Sequence, residues 1–299
     1  MAISKVRAQI NGTWYTLTLQ SGNTYTATIT APGSTSYNLT GGYYNVTVEA
    51  TNTAGTVATK TSADMAGLRL VVKEKVPPVI TILSPTSGAN VTNNKQPVTF
   101  TVTDEAGGSG VNIGSLVVKL DGTAVAANTI TSTAITNGYS VTYTPGSALS
   151  DGSHTVAISV SDNDGNAATA KSTSFKVDTV PPTLNITAPT NALVTNTASL
   201  VVRGTTNDTS SSPVTVKMTL GGVDQGSITV SSDGSFTKTL TLASGSNTIV
   251  VTATDAAGKT SSVTRTVTLD VSVPSVTSAT ISPNPVDAGA SMVITVVVQ

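Results

Sequence analysis

The side chains that most often carry chemistry are sparse in this chain. One histidine, His154, and no cysteine accompany 16 acidic and 15 basic residues among 299. Neither a Cys–His nucleophile pair nor a His-rich zinc site can be assembled from that set. His154 sits in "DGSHT", a turn followed by a strand, and is expected at an exposed turn edge. The carboxylates fall singly in turns or as the close pairs Asp104–Glu105 and Asp162–Asp164. No glycine-rich phosphate loop follows a strand and opens a helix. No enzymatic activity and no cofactor are therefore expected.

The stretch "DNDGN", Asp162 to Asn166, resembles the start of a calcium loop. An EF-hand needs a bidentate glutamate at its twelfth position, and that position here is Thr173. Asp162 or Asp164 could still combine with Asp104, Glu105 or Asp178 at a sandwich edge. The competing reading is a tight turn whose Asp and Asn side chains bond the backbone. No metal site is expected, with Asp104, Asp162, Asp164 and Asp178 as the weak candidates. The aromatics are uneven. Trp14 is the only tryptophan, and five of the seven tyrosines (15, 25, 37, 43 and 44) precede residue 75. One of each adjacent pair, Trp14/Tyr15 and Tyr43/Tyr44, must face outward on a strand. Trp14, Tyr15, Tyr37 and Tyr43 are candidate surface contacts, for docking or packing before glycan stacking.

The elements that would position these residues are strands. Thr, Ser, Val, Ala and Gly dominate, and apolar residues alternate with polar ones, so the fold class is all-β. Three segments repeat: "GGYYNVTVEATNTAG", "DGSHTVAISVSDNDG" and "SGSNTIVVTATDAAG". Each reads as turn, strand, and Asn/Asp-x-x-Gly turn, followed by a last strand: "LRLVVKE", "STSFKVD" or "VTRTVTLD". An acid, Glu74, Asp178 or Asp270, then precedes a Pro-containing linker, which is stiff and breaks pairing. Asn11-Gly12, Asp121-Gly122 and Gly221-Gly222 each predict a tight hairpin.

The doubled prolines at 77–78 and 181–182, the "SDNDGNAA" and "TDAAGK" turns and "TVPPTLNITAP" resemble the bacterial immunoglobulin-like domains found in tandem in adhesins and phage virion proteins. The resemblance implies tandem immunoglobulin-like β-sandwiches over 76–179 and 180–271. It makes 1–75 an incomplete domain, strands C to G, and 272–299 a two-strand segment, A and B. That segment would complete the first domain through Met292, Val293, Ile294, Val296 and Val298, on a neighbouring chain by preference. Closure within the chain, or a first domain that closes alone, are the alternatives.

With 10% charged residues and a net charge of -1, no nucleic-acid or membrane-insertion role is expected. No apolar leader opens the sequence. The resemblance then implies a structural component of a bacteriophage virion, made in the host cytoplasm, as a tail or baseplate appendage. Its partners would be itself, other virion proteins and a host-surface glycan. A segment of a secreted adhesin or stalk, extracellular or on the cell surface, is the alternative.

Overall fold

A computed structural model describes residues 2–299. The chain divides into two compact units, one ending at Asp178 and the other beginning at Thr179.

The first unit opens with one antiparallel sheet. Its strands are β1 (Ile3–Ile10), β2 (Thr13–Ser21), β3 (Thr24–Thr26), β4 (Tyr44–Asn52), β5 (Val57–Lys60) and β6 (Arg69–Leu70). Their order is β3-β2-β1-β4-β5, with β6 also on β4. Asn11 and Gly12 supply the positive φ (49° and 81°) that a two-residue hairpin demands. Register places Val6, Ala8 and Ile10 beside Ala50, Val48 and Val46, and beside Leu17, Tyr15 and Thr13. These side chains share one face, yet only Ala8 among them is buried. Two expectations change here. The "LRLVVKE" strand is reduced to Arg69–Leu70, with Val57–Lys60 taking the remaining edge of β4. Residues 27–43 form turns rather than a strand.

A two-sheet sandwich completes the first unit. Its strands are β7 (Val79–Ser84), β8 (Ala89–Val91), β9 (Val98–Thr103), β10 (Val111–Leu120), β11 (Thr123–Ala124), β12 (Ile130–Ile135), β13 (Gly138–Tyr143), β14 (Gly152–Asp162) and β15 (Lys171–Val177). One sheet runs β12-β13-β9-β7 and the other β11-β10-β14-β15-β8. The alternation of "VTFTVT" and "HTVAISVSD" puts Val98, Phe100, Val102, Val156, Ile158 and Val160 inward, against Val141 and Phe175. That interior face is why these stretches hold their register.

The second unit repeats the plan. It contains β16 (Thr183–Ala188), β17 (Leu193–Thr195), β18 (Ser199–Asn207), β19 (Thr215–Leu220), β20 (Val223–Asp224), β21 (Ser235–Thr241), β22 (Gly245–Thr254) and β23 (Thr260–Leu269). The sheets run β16-β18-β21 and β17-β23-β22-β19-β20. Val202, Met218, Ile249, Val251 and Val267 form the fully enclosed centre of its core.

The last two strands, β24 (Val276–Ser282) and β25 (Val293–Val298), pair only with each other, as a two-stranded sheet. Every residue from Asp270 to Gln299 is exposed. Cross-strand pairs Ile281↔Ile294, Ala279↔Val296 and Val276↔Val298 collect the apolar side chains on one face. Val293 pairs with Ser282 and so lies on the opposite face from Ile294, Val296 and Val298.

Candidate functional site

The most heavily bonded polar region in the first unit gathers where the opening sheet meets the sandwich. Four segments supply it. The turn segment 34–42 brings Thr35 and Asn38. The stretch after β6 brings Lys73 and Glu74. The turn after β9 brings Asp104 to Gly110, and the turn after β14 brings Asp162 to Asn166. Asp164 is the centre of the bonding. Its Oδ2 accepts the Thr35 hydroxyl at 2.5 Å and the Glu74 amide at 3.0 Å. Its backbone oxygen accepts the Lys73 ammonium at 3.1 Å. The Asn38 side chain donates to the Gly108 carbonyl at 2.6 Å. Glu74 accepts the Ser109 amide through Oε1 and the Asn166 amide group through its backbone oxygen, the latter at 3.2 Å. Lys73 and Glu74 are thereby bonded to the turns after β9 and β14.

Behind these bonds three carboxylates converge. Glu74, Asp104 and Glu105 each offer an oxygen, and the three lie within 4.8 Å of one another. Asp104 is 7% exposed. Its Oδ2 accepts the Gly110 amide at 2.7 Å, whereas its enclosed Oδ1 has no hydrogen-bond partner. The Glu105 carboxyl is pushed up to about 7. A side-chain hydrogen bond shared with Glu74 is the main cause, followed by burial and the nearby Asp104. The Glu74 carboxyl is lowered although burial opposes it, because Glu105 and Ser109 donate to it.

The candidates named from sequence separate accordingly. Asp104 enters the cluster. Asp162 belongs to the turn: Oδ1 accepts the Gly165 and Asn166 amides at 2.7 and 2.8 Å, and Oδ2 accepts the Asn166 side chain at 2.7 Å. Asn52 and Asp255 bond the backbone of the corresponding turns in the same way. Asp164 works in the junction. Asp178 is fully buried at the end of β15, with its amide bonded to the Val91 carbonyl at 2.9 Å. Glu74 and its convergence with Asp104 and Glu105 were missed; the available signal was the acid that recurs before each linker.

His154 corrects the expectation of an exposed turn edge. It is 8% exposed, with Nδ1 2.8 Å from Asp121 Oδ2 and Nε2 2.9 Å from the Ser150 carbonyl. Phe175 lies against its ring. Burial opposes its charge, but the Ser150 carbonyl and the Asp121 carboxylate outweigh it and raise its pKa above the ordinary histidine value. Nδ1 holds the β10–β11 hairpin through Asp121 and Nε2 holds the segment before β14 through Ser150, so both nitrogens serve the fold.

Among the aromatics, the Arg7 guanidinium covers the Trp14 ring at 4.0 Å and Arg69 covers Tyr43 at 5.2 Å. Arg7 also pairs with Glu49 at 2.7 Å. Tyr15 joins the apolar face of the opening sheet, opposite Ala8. Tyr37 stays 49% exposed. No helix among the described residues is long and apolar enough to cross a membrane.

Comparison with known proteins agrees with the sandwiches. Residues 84–179 match the bacterial Ig-like domain family, and residues 182–271 match the family of glucodextranase domain B. Over these residues the fold is one of immunoglobulin-like β-sandwiches in tandem. Its similarity to solved structures is distant. Fibronectin(III)-like modules of Clostridium thermocellum CbhA share 16% identity over 64% of this chain and 93% of theirs, with a TM-score of 0.39. A titin domain segment shares 13% over 88% and 85%, with a TM-score of 0.41. Sidekick-1 immunoglobulin domains 1–5 share 14% over 92% and 56%, with a TM-score of 0.37. No curated protein matches the sequence.

Proposed function

We propose that this protein is a non-enzymatic structural component of a bacteriophage virion, a tail or baseplate appendage. The observation that carries this reading is the bonded junction of the first unit. Six hydrogen bonds from Thr35, Asn38, Lys73, Glu74, Ser109 and Asn166 convert a linker into a fixed joint. Such a joint transmits position along a chain of sandwiches, whereas no acid–base pair in it is arranged around a reactive side chain. Sandwich folds host many roles, so the argument rests on this joint rather than on the fold.

Assembly with a second copy would use the exposed hairpin face of Ile281, Ile294, Val296 and Val298 against an apolar sheet face such as that of Val6, Leu17 and Ala50. A two-stranded hairpin in water is marginal by itself, and a covering sheet supplies what it lacks. Tyr37 is the aromatic we assign to host-surface contact. A secreted adhesin or stalk is the second reading, favoured by the bacterial Ig-like match over 84–179.

The two readings separate by location. Antibody against the chain is used to follow it in density gradients of lysed cultures and on protease-shaved intact cells. Sedimentation with phage particles supports the virion reading. Recovery from the surface of intact cells, with none in particles, overturns it in favour of the adhesin.

A further inference from the structure

The three repeated strands compare a covered sheet with an uncovered one. Val156, Ile158 and Val160 of β14 are 0%, 1% and 4% exposed, and Ile249, Val251 and Ala253 of β22 are fully enclosed. The facing sheet closes over them, through Val98, Phe100 and Val102 in the first sandwich and Leu200 and Val202 in the second. Val46, Val48 and Ala50 of β4 hold the same positions in the repeat, yet they are only half-buried. Their strands, β1 to β6, form a single sheet. On its apolar face Ile3, Val6, Leu17, Tyr25 and Ala50, with Asn23, line an open groove of about 510 Å³.

The hairpin β24–β25 has the opposite deficiency. It is an antiparallel pair in a sheet of its own, and Val276, Ile281, Ile294, Val296 and Val298 are 46–64% exposed. Such pairs are what cover the repeat elsewhere, as β7–β9 and β16–β18. The apolar order agrees as well. Ile82↔Phe100 and Ile80↔Val102 line the first sandwich's core. Ile281↔Ile294 and Ala279↔Val296 repeat that spacing on the hairpin's apolar face. Asp287 is the one charged side chain from Val271 to Gln299 and lies between the strands. The groove is lined by uncharged residues, so joining the two surfaces strands no charge away from water. Within one chain the hairpin stays exposed over its whole length, which assigns the cover to a second copy.

We infer that the β24–β25 pair of one copy packs across the opening sheet of a second copy, in the place that β7–β9 holds over β10 and β14. Ile294, Val296 and Val298 then close over Val46, Val48 and Ala50. The contact is heterologous: it joins two different patches, so each copy gives its hairpin to one neighbour and receives a hairpin on its sheet. It rests on the self-assembly contact given above, and it holds for a virion part and an adhesin alike.

The test follows the purified full chain by analytical ultracentrifugation as its concentration is raised, and growth beyond the monomer is expected. Val296→Asp damages the hairpin alone, and Leu17→Asp damages the sheet alone. Each variant by itself is expected to associate at least about tenfold more weakly, the factor that one buried apolar side chain contributes. Mixed in equal amounts, the two retain one sound hairpin and one sound sheet, so association returns and stops at the pair. Circular dichroism confirms that each variant is folded. A second measurement needs no charged substitution. The chain has no cysteine, so Ala50→Cys and Val296→Cys chains are mixed and joined by a bismaleimide spanning about 10 Å, the separation of packed sheets. Expected is a product of the two different chains, in excess over either chain joined to itself. A wild-type chain that stays monomeric, undiminished association of Leu17→Asp, a mixture that does not recover, or crosslinks no more frequent between unlike chains than between like ones overturns the inference. None of these results touches the virion reading, which is decided by where the chain is found.

Discussion

Replacing Asp164 with alanine isolates the joint from the sandwich core. The substitution removes the acceptor of the Glu74 amide at 3.0 Å and of the Thr35 hydroxyl at 2.5 Å. Hydrogen bonds to a charged group contribute about 1.5–3 kcal/mol each. Thr35 retains a second acceptor, the Val72 carbonyl at 3.3 Å, so most of its contribution survives. Removing the charge also relieves repulsion on Glu74, which Asp164 otherwise raises. The net loss is therefore about one charged bond, ~2 kcal/mol. At 1.4 kcal/mol per factor of ten, the Glu74 amide is expected to exchange its hydrogen roughly 30-fold faster. Exchange should also rise across 34–42 and 71–76. Val98, Phe100 and Val156 amides, in the enclosed core, should keep their protection. Hydrogen–deuterium exchange read by mass spectrometry measures all of these in one sample. The reasoning is refuted if Glu74 exchange is unaltered while the variant is folded, because the joint would then not rest on Asp164.

Three further outcomes follow from particular contacts. Above about pH 6.5, the ordinary histidine value, the first unit should lose stability, because the raised His154 pKa contributes only while the ring is charged; below about pH 4 it should lose more, as Asp121, whose pKa is lowered, becomes protonated. His154→Gln should flatten the alkaline limb in melts taken across pH, and an unchanged limb would assign it to another group. Gly138→Ala sets a Cβ 2.0 Å from the Val102 carbonyl oxygen; overpacking of about 1–3 kcal/mol should lower the melting of the first sandwich by roughly 4–24 °C, with the second unit's transition unmoved in calorimetry. Val296→Asp on the hairpin should dissociate any self-assembly seen in light scattering, whereas Val293→Asp, on the other face, should not; equal effects would mean that the two faces are not distinguished.

Much of the architecture was legible along the chain because it depends on local rules. The Asn-Gly, Asp-Gly and Gly-Gly turns formed where positive φ was needed: Asn11 and Asp121 adopt 49° and 48°, and Gly12, Gly122 and Gly222 lie at 81–84°. The alternation of "VTFTVT" and "HTVAISVSD" fixed which side chains enter the core. The Asn/Asp-x-x-Gly repeat was also read correctly as a backbone-bonding turn. Short strands were less legible. Ala89–Val91 and Leu193–Thr195 are three residues long and pair in parallel with the last strand of each sandwich, and three residues carry too little periodicity to declare themselves. Ile130–Ile135 was hidden for another reason: its side chains are mostly exposed.

The sequence by itself determined the strand-rich class, the repeat and the scarcity of catalytic side chains, because composition and period-two patterning act over a few residues. Only the tertiary structure decided which polar groups meet. His154 is enclosed because Asp121, 33 positions away, and Ser150 take its two nitrogens. Glu74 and Asp104 stand 30 positions apart, and Asp164 lies 90 from Glu74. Folding places them in one turn cluster, where loss of water makes each unpaired oxygen consequential. No local pattern encodes that meeting, since it depends on how the linker crosses the end of the sandwich.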